Sequence, residues 1–109
     1  MAAETSNGSV TLEFHGALAD RFLAIGRRRG TRTLVSVPLR GSSVGDLLSE
    51  LAASDSRYAH LFDRESQTLP EHEEVVLNDR VLDLQGGVNA PLKLGDVLTF
   101  LPAHAGGYS

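Results

Sequence analysis

The sequence has no cysteine and no tryptophan, and Lys93 is its one lysine. A chain without cysteine cannot form disulfide bonds, a thiol nucleophile or a cysteine-ligated zinc site. No apolar run approaches the roughly 20 residues that a transmembrane helix needs. The opening residues, MAAETSNGS, lack the basic start and apolar stretch of a secretory signal. We therefore expect a cytoplasmic protein with no membrane partner and with a disordered leader at residues 1–8.

Charge of either sign is modest, with 14 acidic and 10 basic residues and a net charge of −4. Such a balance gives the chain no overall attraction for nucleic acid. Arg27, Arg28 and Arg29 form one local basic run, which favours a solvated loop; docking of an acidic partner is the alternative. A length of 109 residues with 41% hydrophobic residues fits one globular domain, which we place at residues 9–102.

The first half of the chain carries two strand patterns and one helix pattern. Apolar and polar residues alternate over residues 10–14, which predicts a half-buried strand. The β-branched stretch TRTLVSVPL predicts a second strand, and Pro38 pushes that strand toward a sheet edge or an early end. The stretch GSSVGDLLSELAAS predicts the main helix, because Ser43 can cap it and apolar residues recur at helical spacing.

The second half continues with shorter elements. SRYAHLF predicts a short helix, and VVLNDRVL predicts two short runs joined by a tight turn at Asn78 and Asp79. VLTFLP, after a turn at Gly95 and Asp96, predicts the last strand. One amphipathic helix between an opening strand pair and later strands indicates an α+β fold, with the helix packed across the sheet.

Residues that carry chemistry do not converge on a site of their own. The four histidines lack the spacing of metal ligands, and the acidic residues around His72 favour a solvated loop over an acid/base cluster. No serine lies in a nucleophile motif. Gly86 and Gly87 lack the following helix that a phosphate cradle requires. We therefore expect neither an enzyme nor a metal protein. The histidines are His15, His60, His72 and His104.

The end of the chain, LPAHAGGYS, differs from the rest. Pro102 fixes φ where the last predicted strand ends, and this gives the exit a preferred direction. Residues 103–107 could extend by about 17 Å. Gly106 and Gly107 have no Cβ, so their backbone can pass through a narrow passage in another protein. We predict a flexible tail at residues 103–109 that presents the glycine pair; a frayed terminus is the alternative.

Three segments, SSVGDLLSEL, VVLNDRVL and GGVNAPLKLGDVLTFLPAHAGG, resemble the ubiquitin-like sulfur carriers of bacteria of the MoaD/ThiS type. The resemblance covers residues 10–107 and is most specific from Gly95 to Gly107. It is strongest to the carriers used in cysteine biosynthesis. It implies a β-grasp fold, with a mixed sheet of four to five strands and one main helix.

The resemblance also implies a function and a set of partners. An E1-like adenylating enzyme would use ATP to activate a terminal carboxylate at Gly107, beside Gly106. A sulfur donor protein would convert it to a thiocarboxylate. A cysteine-synthase-like or molybdopterin-synthase-like acceptor synthase would then take the sulfur. The carrier itself would bind no cofactor and act as a co-substrate.

Partner contacts are expected on the last strand. If this strand alternates, Leu98 and Phe100 share one face, and Val97, Thr99 and Leu101 share the other. The family pattern favours Phe100 as a contact residue; an ordinary core position for Phe100 is the alternative. Leu98 and Pro102 are also expected to contact partners, and Arg80 and the Arg27–Arg29 run are further candidates for the same interface.

Tyr108 and Ser109 depart from the family pattern, because its active members end at the second glycine. The resemblance therefore implies that a JAMM-type peptidase cuts between Gly107 and Tyr108. Two other functions remain open: a ubiquitin-like modifier that forms isopeptide bonds with lysines, and a β-grasp interaction domain without acyl chemistry.

Overall fold

A computed structural model describes residues 9–69 and 73–102. The expected leader, residues 1–8, and the expected tail, residues 103–109, lie outside the described residues. Within the described ranges one sheet contains six strands: β1 Ser9–Phe14, β2 Arg27–Arg29, β3 Arg32–Pro38, β4 Glu73–Leu77, β5 Arg80–Val81 and β6 Val97–Pro102. The helices are α1 Ala17–Arg21, α2 Val44–Ser54 and α3 Ser56–Ala59, with 3₁₀ helices at Leu23–Ile25, Leu82–Gln85 and Gly87–Asn89.

The strand order is β2-β3-β1-β6-β4-β5. β1 and β6 run parallel, and the other neighbouring strands run antiparallel. This mixed sheet, with α2 across one face, confirms the predicted β-grasp fold, but it has six strands rather than the expected four to five. No helix in the described part of the chain is long and apolar enough to span a bilayer.

The strand β2 is the element that the sequence did not predict. The run Arg27–Arg29 was expected to form a solvated loop, and that prediction is wrong. A tight turn at Gly30, which has φ +63°, folds the run back along β3, so that Arg29 lies opposite Arg32. All three arginines of β2 are exposed, so the segment is solvated but pairs as an edge strand.

Alternation along the strands places one face of the sheet in the core. In β1 the buried residues are Val10, Leu12 and Phe14, as the sequence predicted. Helix α2 covers this face with Val44, Leu47 and Leu48. The Ser43 hydroxyl accepts a hydrogen bond from the Asp46 backbone N–H at 3.1 Å, which confirms the predicted N-cap.

Aromatic rings pack together beneath the ends of β1 and β6. The ring centroids of Phe14 and Phe22 lie 3.9 Å apart and nearly parallel, and Phe14 stacks on Phe100 at 5.1 Å. Tyr58, in α3, contacts Phe22 with a centroid distance of 5.0 Å. The rings join β1, β6 and two helical segments at the end of the sheet where the chain leaves β6.

Candidate functional site

The strand that leads to the chain end lies inside the sheet rather than at its edge. β6 pairs with β1 on one side and with β4 on the other, up to its last residue, where Pro102 lies opposite Glu73. The backbone N–H of His15 donates to the Phe100 carbonyl at 3.1 Å, which extends the β1 side. The chain therefore leaves the sheet from a fixed point at Pro102.

Gly16 contributes to this exit point, and the sequence analysis missed it. Its backbone has φ +64°, and a Cβ built there would lie 2.8 Å from Pro102 Cγ. The proline ring thus packs directly on the Gly16 backbone. The available signal was a glycine two residues after a well-patterned strand, because glycine is the usual residue where the chain turns tightly or another group approaches the backbone closely.

The two faces of β6 differ in burial. Leu98 and Phe100 have 0% exposed surface. They pair with Leu12 and Phe14 of β1 and share the core face with them. The expectation that Leu98 and Phe100 contact a partner is therefore wrong, because the folded domain leaves no surface of either residue accessible.

The opposite face of the sheet carries partly exposed, mostly apolar residues along β6 and on two other strands. We call the partly exposed residues Leu34, Val76, Val97, Thr99 and Leu101 the outer face. They come from three strands, and Thr99 lies opposite both Val76 and Glu13. Leu101 directly precedes Pro102, so a protein bound to the outer face would lie beside the start of residues 103–109.

A group of charged side chains lies within the outer face, where Glu13 of β1 stands between Leu34 of β3 and Thr99 of β6. The Glu13 carboxylate accepts hydrogen bonds from His15 Nε2 at 2.7 Å and from an Arg32 guanidinium nitrogen at 3.3 Å. His15 is partly exposed and Arg32 is exposed. The outer face therefore combines apolar side chains with a charged cluster.

Arg80, the other expected contact residue, lies toward the opposite end of the sheet. It pairs with Leu77, which lies opposite Leu98, four residues before Pro102. Four residues of strand span about 13 Å. Arg80 is exposed, but the structure does not bring it together with Pro102 in one compact site. Its role as a contact residue stays a prediction.

The Asn78 and Asp96 positions that carried part of the resemblance meet in space. The Asn78 side-chain amide donates to an Asp96 carboxylate oxygen at 3.2 Å, and its carbonyl accepts from the Val97 N–H at 3.0 Å. The other Asp96 oxygen accepts from the Lys93 N–H at 2.8 Å. These bonds tie the β4–β5 turn to the first residue of β6, so the motif positions the strand that leads to the exit.

The residues expected to undergo chemistry, Gly106, Gly107 and Tyr108, lie outside the described residues, as do His72 and His104. Within residues 9–69 and 73–102, no group of histidine, aspartate and glutamate side chains could hold a metal ion. The described part of the candidate site is therefore a fixed exit point with an accessible face beside it.

Comparison with known proteins adds family information. The model of the ThiS family matches residues 26–107. Mycobacterium tuberculosis CysO is 25% identical with a TM-score of 0.61, and the alignment covers 86% of this chain and 98% of that chain. A chain of the Amycolatopsis orientalis BexX/CysO complex is 26% identical with a TM-score of 0.59, covering 88% of this chain and 99% of that chain.

The fold extends to an archaeal protein. Haloferax volcanii SAMP1 is 24% identical with a TM-score of 0.61, and the alignment covers 92% of this chain and 100% of that chain. No curated protein sequence matches the chain.

Proposed function

Because this chain belongs to the ThiS family, we propose that it is a sulfur-carrier protein whose Gly106-Gly107 end is adenylated and converted to a thiocarboxylate. The observation that carries the proposal is the extent of the family match, which runs to residue 107 and so includes the glycine pair. The position of β6 supports it, because a central strand delivers the chain at a fixed point beside an accessible face.

The chemistry takes place on enzymes that the carrier visits. A carboxylate is a poor electrophile, so the terminal carboxylate of Gly107 first attacks the α-phosphorus of ATP, and pyrophosphate leaves. Hydrosulfide, supplied by a sulfur donor protein, then attacks the carbonyl carbon of the acyl-adenylate. AMP leaves, and a C-terminal thiocarboxylate remains. Its sulfur is nucleophilic yet tethered, which raises its effective concentration at the acceptor.

Gly107 is followed by Tyr108 in this chain, so its carbonyl is part of an amide. We propose that a JAMM-type peptidase hydrolyses this amide and exposes the carboxylate. Gly106 and Gly107 suit such a peptidase and the activating enzyme equally, because a backbone without Cβ fits a narrow active-site cleft.

The partners follow from this sequence of steps. An E1-like enzyme would bind the outer face and draw the tail into its ATP site, and Pro102 would set the direction from which the tail enters. The acceptor would be a synthase that forms cysteine or another sulfur-containing metabolite or cofactor. The resemblance to the carriers of cysteine biosynthesis favours a cysteine-synthase-like acceptor, and the BexX/CysO complex, with a chain 26% identical to this one, supports a partner enzyme.

Reconstitution tests the proposal. The full chain and a chain ending at Gly107 are incubated with ATP and the E1-like enzyme of the same host, with and without a sulfur donor. Of the two chains, we expect only the shortened one to release pyrophosphate. With the sulfur donor present, its intact mass should then show one oxygen replaced by sulfur. The full chain should react only after the host peptidase is added, with loss of the mass of Tyr-Ser.

Two variants and two outcomes complete the test. Gly107→Val in the shortened chain should abolish adenylation, whereas Arg64→Ala, at an exposed position outside the site, should not. A heavier conjugate of the carrier with target lysines, and no thiocarboxylate, would replace the carrier function by a modifier function. A shortened chain that releases no pyrophosphate with the E1-like enzyme would leave a β-grasp interaction domain.

A further inference from the structure

The basic residues of this acidic protein are concentrated in one part of the chain. Residues 21–45 contain six of the ten basic residues, and all 14 acidic residues lie outside this stretch. The remainder of the chain therefore carries a large negative charge, while this stretch carries only positive charge. A local field of this kind acts on a partner even though the net charge is −4.

The fold gathers most of these arginines along one margin of the sheet. We call Arg21, Arg27, Arg28, Arg29 and Arg32 the basic edge; all five are exposed. Arg28 pairs with Asp20 at 2.9 Å, and Arg32 pairs with Glu13 at 3.3 Å. The other three arginines form no ion pair with any described residue. Much of the positive charge is therefore available to another molecule.

The same margin offers an unused backbone edge and an apolar patch. β2 is the first strand in the sheet order, so among the described residues it pairs with β3 alone. Leu23 and Ile25, in the 3₁₀ helix just before β2, are 40% and 39% exposed. An edge strand can accept an added strand through its main-chain groups, and flanking side chains then select the sequence.

We propose that the outer edge of β2 binds an acidic, extended segment of a partner protein, which adds to the sheet as a further strand. Glutamate or aspartate side chains of the segment would pair with the arginine forks of the basic edge, which bind carboxylates through two parallel hydrogen bonds. Apolar side chains of the segment would contact Leu23 and Ile25. The inference stands on charge and edge geometry and does not depend on the proposed sulfur chemistry.

A protein segment fits this surface better than a nucleic acid does. Single-stranded nucleic acids bind where aromatic rings lie open for base stacking. Every aromatic ring in the described part of the chain is buried. The exposed side chains between Arg21 and Arg27 are aliphatic, and the neighbouring backbone is an open strand edge; both suit a polypeptide.

The proposed segment would leave the exit point accessible. Arg28, Thr33, Phe14 and Phe100 lie in one row across four strands. Three strand spacings separate Arg28 from Phe100 by about 14 Å. A strand added beyond β2 would therefore leave Pro102 and the β6 residues of the outer face uncovered.

An NMR titration of the full chain tests the proposal with a defined probe. The probe is a peptide of alternating glutamate and valine, and the matched control replaces each glutamate with glutamine. We expect saturable shifts of the backbone amides of Arg27–Arg29 with the glutamate peptide and at least tenfold weaker binding of the glutamine peptide. N-methylation of alternate amides in the glutamate peptide should also weaken binding at least tenfold, because it blocks strand pairing.

Charge reversal on the protein provides the second arm. Arg27→Glu with Arg29→Glu should weaken binding of the glutamate peptide at least tenfold. Arg64→Glu with Lys93→Glu makes the same charge change at exposed positions outside the basic edge, and it should change the affinity less than threefold. Arg27→Gln with Arg29→Gln should weaken binding of the glutamate peptide by an intermediate factor. This double variant replaces the charge-reversed one if that protein does not fold.

Several results would overturn the proposal. Absence of binding, or equal binding of the glutamate and glutamine peptides, would leave the arginines as a device that merely protects an open strand edge from aggregation. Equal binding of the N-methylated peptide would exclude strand addition. Tighter binding of a single-stranded RNA oligonucleotide or of phosphatidylglycerol vesicles, at the same ionic strength, would assign the edge to a different class of partner.

Discussion

Gly16 shows how one residue can fix the geometry of the point where the chain leaves the sheet. Its left-handed backbone turns the chain after β1, and its missing side chain allows the Pro102 ring to pack on the backbone. Glycine meets both requirements at once. A side chain here would disturb the turn and the exit point together.

Gly16→Ala should destabilise the domain more than the matched variant Gly30→Ala. Both glycines have φ near +63°, but a Cβ at Gly30 would meet nothing within 4 Å. The left-handed conformation costs each alanine about 1 kcal/mol. The contact with Pro102 should cost Gly16→Ala a further 1 kcal/mol or so. Urea unfolding measures both free energies; equal losses would show that Pro102 yields without cost.

Tyr58 is a second residue whose surroundings have a measurable consequence. Burial, with a smaller contribution from the nearby Asp55 carboxylate, raises the pKa of Tyr58 to about 12. A tyrosine in an unfolded chain has a pKa of about 10. Between these values the folded protein keeps the phenol proton that the unfolded chain has lost. The contribution of Tyr58 to the free energy of unfolding is therefore fully present below about pH 10 and is lost as the pH rises toward 12.

Tyr58→Phe should remove this component of the pH dependence. The free energy of unfolding, measured by urea titration from about pH 9 to 12, should fall more steeply for the parent chain than for the variant. The other titrating groups are common to the two proteins and cancel in the difference. Parallel curves would mean that the Tyr58 hydroxyl is solvated in the folded state.

At the scale of elements, the β4–β5 hairpin and β6 are joined by side-chain hydrogen bonds in addition to the strand ladder. Asn78 has φ +60° in the turn, and its side chain forms hydrogen bonds to both Asp96 and Val97. The backbone N–H of Asn78 also donates to the Val97 carbonyl at 2.8 Å. The start of β6 is held at this turn, and its end is held by Gly16 and Glu73, so the strand is fixed along its whole length.

Asn78→Gly and Asn78→Ala separate the two roles of this residue. Glycine keeps the left-handed conformation and loses two side-chain hydrogen bonds, which should cost about 1–2 kcal/mol. Alanine loses the same bonds and should cost about 1 kcal/mol more, because a Cβ disfavours positive φ. In thermal and urea unfolding, stability should decrease from the parent to the glycine variant and again to the alanine variant. A glycine variant as stable as the parent would show that the side-chain bonds contribute nothing.

Considered as a whole, the molecule has a buried face and a partly exposed face on the same strand, β6. Phe100 is fully buried and stacks on Phe14, whereas its neighbour Leu101 is partly exposed on the outer face. One strand thus connects the aromatic core to the proposed docking surface. Substitutions one residue apart should have different consequences.

Phe100→Ala should lower the free energy of unfolding by about 3–5 kcal/mol, because it leaves a cavity in the ring stack. Leu101→Ser should lower it by less than about 1 kcal/mol but should reduce kcat/KM for adenylation by the E1-like enzyme. Unfolding and pyrophosphate release are measured on the same preparations. If Leu101→Ser left adenylation unchanged, the outer face near the exit would not be the docking surface.

The local sequence pattern was sufficient to predict an element wherever the residues of that segment select its conformation. The alternation in β1, the capped α2 with its apolar stripe, and the turn at Asn78 and Asp79 agree with the sequence analysis. The glycine pair and Pro102 were likewise visible in the sequence, because their backbone properties do not depend on neighbours. These elements, together with the resemblance, were enough to predict the β-grasp fold.

Other features depend on which segments meet, and the sequence alone could not decide them. Both faces of β6 are apolar, so only its register with Leu12 and Phe14 of β1 places Phe100 in the core and Leu101 outside. β2 has no hydrophobic alternation and forms a strand because β3 lies alongside it. Asn78 and Asp96 are 18 residues apart and meet through strand pairing. Burial and pairing arise between segments, so they are set by the tertiary structure.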